Sequence, residues 1–72
     1  MLQAAAMTDQ QNANEMAQSL QLKKFPAFVY KKNGDRFYRV FIGPYVSDQS
    51  LRQAQAALRN INIPTIKKTS AP

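Results

Sequence analysis

A shift of 38 positions lays the chain onto itself without a gap. Leu2 falls on Val40, Ala5 on Gly43, Met7 on Tyr45, Leu20 on Leu58, Phe25 on Ile63 and Pro26 on Pro64. Apolar and proline positions that recur at one offset mark a repeated supersecondary unit. The chain has 72 residues, room for one domain built from two such units around one modest core. A domain of this size does not readily enclose a deep cavity, so a shallow surface site is expected.

Each unit reads as β-α-β. In the first, Leu2 to Met7 is a short apolar strand. Thr8-Asp9-Gln10-Gln11 then has the form of a capping box, with Thr8 as cap. Ala13, Met16, Ala17 and Leu20 follow at helical spacing between polar residues, a narrow core-facing seam. In the second, Ser47-Asp48 opens a helix, Ser as cap and Asp near the positive helix end. Its stripe is Leu51, Ala54, Leu58 and Ile61. Ala27 to Lys31 and Arg36 to Ile42 are strand-forming runs around Asn33-Gly34-Asp35, which predicts a hairpin. Ile63 to Lys68 makes a weaker last strand, and Pro64 puts its start at an edge. Its register stays open, since Ile66 and Lys67 cannot both face the core. The predicted fold is α+β, β-α-β-β-α-β: a four-stranded antiparallel sheet with both helices on one face, ferredoxin-like. The first and third strands are expected at the centre, in one domain spanning residues 1–72.

Composition narrows the chemistry. Ten Lys and Arg against four Asp and Glu give a formal net charge of +6, which favours an anionic partner such as nucleic acid, anionic lipid or acidic polysaccharide. The chain lacks Cys and His, which removes disulfides, thiolate zinc sites and the commonest general base. No cofactor is implied, and no paired carboxylates or nucleophile–base pair suggest catalysis. No apolar run approaches the ~20 residues of a membrane span. Ala4-Ala5-Ala6 loosely resembles a signal-peptidase site, but no basic region and long apolar core precede it. The chain reads as a domain of something longer.

Strand alternation places the candidate site. If Val40 and Ile42 face the helices, Arg39 and Phe41 face away, and Phe37 joins them. Ala27 and Val29 suit the core, which turns Phe28 and Tyr30 outward, and the repeat puts Gln3 where Phe41 is. The helix-free face thus carries Gln3, Phe28, Tyr30, Phe37, Arg39 and Phe41. Aromatics there mark a recognition surface or stabilise the sheet by cross-strand packing. Rings stack on the C–H face of a sugar or the π-face of a base, Gln donates and accepts, and Arg forks onto a carboxylate or phosphate.

These residues resemble the SPOR (sporulation-related repeat) family. Tyr38-Arg39-Val40-Phe41-Ile42-Gly43-Pro44-Tyr45 resembles its third-strand pattern YRVRVGPF, and Leu2-Gln3-Ala4-Ala5-Ala6-Met7 its first-strand VQxGSF or VQxGAF. Ala13 and Leu20 match the family's first helix, and Phe25-Pro26-Ala27 its entry to the second strand. The resemblance covers nearly the whole chain. It implies a periplasmic or cell-envelope module of a longer membrane-anchored or secreted bacterial protein. Such a module binds peptidoglycan glycan strands stripped of stem peptides, as at division septa, without catalysis, membrane insertion or nucleic acid, and is monomeric in isolation. Gln3 matches the family's first-strand Gln, and Phe28, Tyr30 and Phe41 correspond in kind to its sheet-face aromatics. Three positions depart from the pattern: Ala5 stands for Gly, Ala6 for a small hydroxyl donor and Met7 for an aromatic.

Two other functions compete. The RNA recognition motif shares the topology and uses open-sheet aromatics for single-stranded RNA, but Arg36-Phe37-Tyr38-Arg39-Val40-Phe41 lacks the glycines of its third-strand signature. A protein-interaction domain that adds a partner strand needs a long clean edge, and Pro26 and Pro64 blunt both edges.

Overall fold

The computed structural model describes residues 1–68; the expected domain end at residue 72 lies outside them. The elements run β1 (Leu2–Met7), α1 (Gln10–Leu22), β2 (Ala27–Tyr30), β3 (Tyr38–Ile42), α2 (Asp48–Asn60) and β4 (Ile66–Lys67). The strands form one antiparallel sheet in the order β2-β3-β1-β4, with β1 and β3 central as the repeat implied. Leu20 from α1 and Leu51 and Leu58 from α2 share one buried cluster with Leu2, Val40 and Ile42 from the sheet. Both helices therefore cover the same sheet face. No helix among the described residues is long and apolar enough to cross a membrane.

The repeat is most faithful at the helices. α1 and α2 each span 13 residues and start 38 positions apart. Both end in the same left-handed stop: Lys24 (φ 73°) and Asn62 (φ 64°) are equivalent. Phe25 N–H donates to the Leu20 carbonyl at 3.0 Å, and Ile63 N–H to that of Leu58 at 2.9 Å. These bonds satisfy carbonyls that a helix end leaves free. Phe25 and Ile63 then pack on the core beside the buried Leu20 and Leu58. The matched pairs in the sequence are thus the apolar closures of two like helix ends.

Four expectations need correction. The cap of α1 is Asp9, not Thr8; its carboxylate accepts from Asn12 N–H at 3.1 Å. Both residues are able caps, and Asp9 is the repeat equivalent of Ser47, the observed cap of α2. The hairpin strands stop short, with Tyr30↔Arg39 the last pair of the β2–β3 ladder. Asp35 N–H bonds to the Lys32 carbonyl at 3.0 Å, Gly34 takes φ 87°, and the Asp35 side chain holds Phe37 N–H at 3.1 Å. These bonds divert residues 31–37 from the ladder. β4 has only two residues because the next pairing position is lost on both sides: Pro64 has no N–H, and β1 bulges between Gln3 and Ala5. Val29, expected to be buried, is half-buried because β2 is an edge strand.

Gly43 explains a second constraint. Its φ is 141°, and an added Cβ would lie 2.9 Å from Met1 Cβ. The end of β3 thereby packs directly on the start of β1.

Candidate functional site

The face opposite the helices is organised in cross-strand rows. Direct partners in an antiparallel ladder point the same way. One row runs Ile66–Gln3–Phe41–Phe28 across all four strands. A second runs Ala6–Arg39–Tyr30. Gln3, Phe28, Tyr30, Arg39 and Phe41 therefore lie together on the open face. Phe37 precedes β3 rather than belonging to it, and touches the group through Arg39.

The aromatics are not equally available. Phe41 keeps only 4% of its surface, although it points away from the main core. Its ring stacks on Phe28 at 5.8 Å between centroids with 29° between planes, and meets Tyr30 edge-on at 6.2 Å. Phe41 is the floor of a small cluster, while Phe28 and Tyr30 are half-buried and present the remaining ring surface. Cross-strand packing thus accounts for Phe41, while Phe28 and Tyr30 keep ring surface on the open face.

Arg39 is held in place from two sides. Its Nε donates to Asp35 Oδ2 at 2.8 Å, and its guanidinium carbon sits 5.6 Å from the Phe37 ring centroid. Arg36 approaches that ring at 5.4 Å. Two cations thus approach the Phe37 ring, which serves as a platform for Arg39. Asp35 takes one edge of the Arg39 guanidinium and leaves its Nη donors. The hydrogen bond from Arg39, followed by that from Phe37 N–H, lowers the Asp35 carboxyl pKa from its ordinary value. Beside this pair lies a shallow cavity of about 530 Å³ on the hairpin, lined by Lys32, Asn33, Gly34, Asp35 and Arg39.

Gln3 is a buried polar residue of the face, 8% exposed, and its Oε1 has no hydrogen-bond partner among the described residues. On its far side β4 turns away, and a groove of about 380 Å³ opens between β1 and the segment 64–66.

Sequence reasoning missed Ile66 and Asp35. Ile66 pairs with Gln3 and stands 60% exposed on the open face. Its neighbour Lys67 turns to the helix side, where Nζ reaches Asp48 Oδ1 at 3.1 Å. The 38-residue offset maps Phe28 onto Ile66 and would have found it. Asp35 was hidden by its turn composition. The four carboxylates all have local duties: Asp9 caps α1, Glu15 accepts from Gln11 at 3.2 Å, Asp35 holds Arg39, and Asp48 binds Arg52 and Lys67.

Comparison with known proteins agrees with this architecture. The chain matches the family model described as SPOR domain over residues 1–65. Neither the curated proteins nor the solved structures yield a match. SPOR domains are binding modules that occur in cell-envelope proteins and bind peptidoglycan. With the match running from β1 through α2, over most of its length, the chain belongs to the SPOR domain family.

Proposed function

We propose that the open sheet face binds peptidoglycan glycan strands that lack stem peptides, and so carries a parent protein to the septal cell wall of a bacterium. The observation behind this reading is the row Ile66–Gln3–Phe41–Phe28 beside Arg39 and Tyr30. Ring surface suits the C–H face of a pyranose. The Arg39 Nη donors suit a carboxylate, and removal of the stem peptide exposes the lactyl carboxylate of muramic acid. A stem peptide on each muramic acid would hold a flat sheet off the strand. The net charge of +6 adds attraction to such a polyanion. The module itself performs no chemistry in this reading, since each carboxylate is committed to a cap, a pair or a helix face.

Pull-down with intact sacculi, amidase-stripped sacculi and poly-pyrimidine RNA in parallel tests the ligand. Retention should rise on stripped sacculi. Equal retention on both forms, with micromolar RNA binding, would transfer the face to RNA. An exported fluorescent fusion should concentrate at septa; uniform envelope fluorescence would remove the targeting role.

A further inference from the structure

The groove between β1 and β4 carries chemistry that the aromatic row does not use. Gln3 and the alanines at 4–6 form one wall, and Pro64, Thr65 and Ile66 the other. The walls are mostly small and apolar. Two of the lining residues, Gln3 and Thr65, hold a buried side-chain oxygen each, Oε1 and Oγ1, and neither atom has a partner among the described residues. Gln3 is more than nine-tenths buried. An unpaired buried acceptor or hydroxyl disfavours the folded state, so each atom gains from a ligand group once its side chain turns toward the groove. The terminal torsion of a Gln side chain is broad, and a Thr hydroxyl re-aims by one rotation about χ1.

We infer that this groove seats the acetamido arm of an N-acetylated sugar, with the Gln3 carboxamide and the Thr65 hydroxyl as its polar contacts. This rests on the glycan reading of the sheet face and names the group selected there. An acetamido arm combines an N–H donor, a carbonyl acceptor and a methyl. Gln3 Oε1 accepts from the N–H, the Thr65 hydroxyl donates to the carbonyl, and the alanine side chains and Pro64 receive the methyl. A bare hydroxyl would leave the apolar walls wet. Gln3 also stands in the row with Phe41 and Phe28. One strand spacing, about 4.8 Å, separates β1 from β3, so a sugar ring on the row reaches the groove with a side arm.

The test uses soluble stripped glycan strands, chemically de-N-acetylated and then re-acylated with acetyl or formyl groups, so that charge is equal. Formyl strands should bind about three-fold more weakly than acetyl strands, because they lack the methyl that the apolar walls receive. Thr65→Val should bind acetyl strands about five-fold more weakly through the lost hydrogen bond. It should also melt at a higher temperature, since a methyl replaces an orphan hydroxyl. Thr65→Ser should bind as the wild type does. Equal binding of both acyl forms, or wild-type binding by Thr65→Val, overturns the acetamido site while leaving glycan binding intact. Failure of the wild type to bind either form removes the sheet-face reading and this site together.

Discussion

Gln3 and Phe41 face each other directly across the β1–β3 ladder, and they are also repeat equivalents, 38 positions apart. The local pseudo-twofold between the two units therefore passes between these side chains. It exchanges Gln3 with Phe41 and Ile66 with Phe28, so the whole row maps onto itself. One half of the row pairs the buried Gln3 with the exposed Ile66; the other is an aromatic cluster. The two units keep one backbone plan and differ in what they offer a ligand.

The burial of Phe41 separates stability from binding. Phe41→Ala should destabilise the domain by about 3 kcal/mol, the scale of a buried Phe truncation. Phe41→Leu should cost less than about 1.5 kcal/mol. Phe28→Ala, at an edge and half-buried, should cost less stability than Phe41→Ala yet weaken retention on stripped sacculi. Urea melts and sacculus pull-downs on the three variants check this. A Phe41→Ala variant as stable as wild type would show that Phe41 is not the floor of the cluster.

Arg39 should resist conservative replacement. Lysine keeps the charge but loses the planar stack on Phe37 and the Nε bond to Asp35. Arg39→Lys and Arg39→Ala should therefore both weaken binding to stripped sacculi, and only Arg39→Ala should also flatten its salt dependence. Titration at several ionic strengths separates them, and full affinity in Arg39→Lys would reduce the site to a point charge.

Much of this face was legible in the chain. A core built from Ala27, Val40 and Ile42 leaves Phe28, Arg39 and Phe41 no choice but the other side. The helix ends were legible because Leu20–Phe25 and Leu58–Ile63 repeat an apolar closure. Other features depend on lateral contacts that periodicity does not encode. Phe41 is buried by rings from β2, not by its own strand. Asp35 looks like a turn residue until Arg39 is placed beside it. The β1 bulge has no residue signature, so the shortness of β4 and the groove it opens were invisible. Thr8 and Asp9 are both good caps, and only the geometry of α1 chooses between them.

Acid should loosen the domain in a defined sense. The Asp35 carboxyl is lowered chiefly by its hydrogen bond from Arg39, and that of Asp48 by its bond from Lys67. A carboxylate with a lowered folded-state pKa contributes stability that is complete above the unfolded value, near 4. That contribution disappears as pH falls through the lowered folded value. Melting temperature should therefore fall most steeply below about pH 4. Asp35→Asn should melt lower than wild type at neutral pH and show a shallower acid slope. A parallel slope in wild type and Asp35→Asn would mean that the Arg39 pair does not contribute.

The pseudo-symmetry of the open row predicts a gain as well as losses. Ile66 occupies the repeat position of Phe28, flanks Gln3 as Phe28 flanks Phe41, and is 60% exposed. Ile66→Phe places a ring where the second unit lacks one. Aromatic residues are good strand formers, and the site is exposed, so stability should change by no more than about 0.5 kcal/mol. If the row is the glycan track, a ring on the β4 side should extend the stacking surface beyond Gln3 and tighten binding to stripped strands by about three-fold, a modest aromatic contribution. Ile66→Ser should weaken it through the loss of apolar surface at the same place. Affinities measured on soluble stripped strands, with urea melts as the control for folding, decide the matter. Unchanged affinity in both folded variants would confine the ligand to the β1–β3–β2 side of the sheet and leave β4 outside its path.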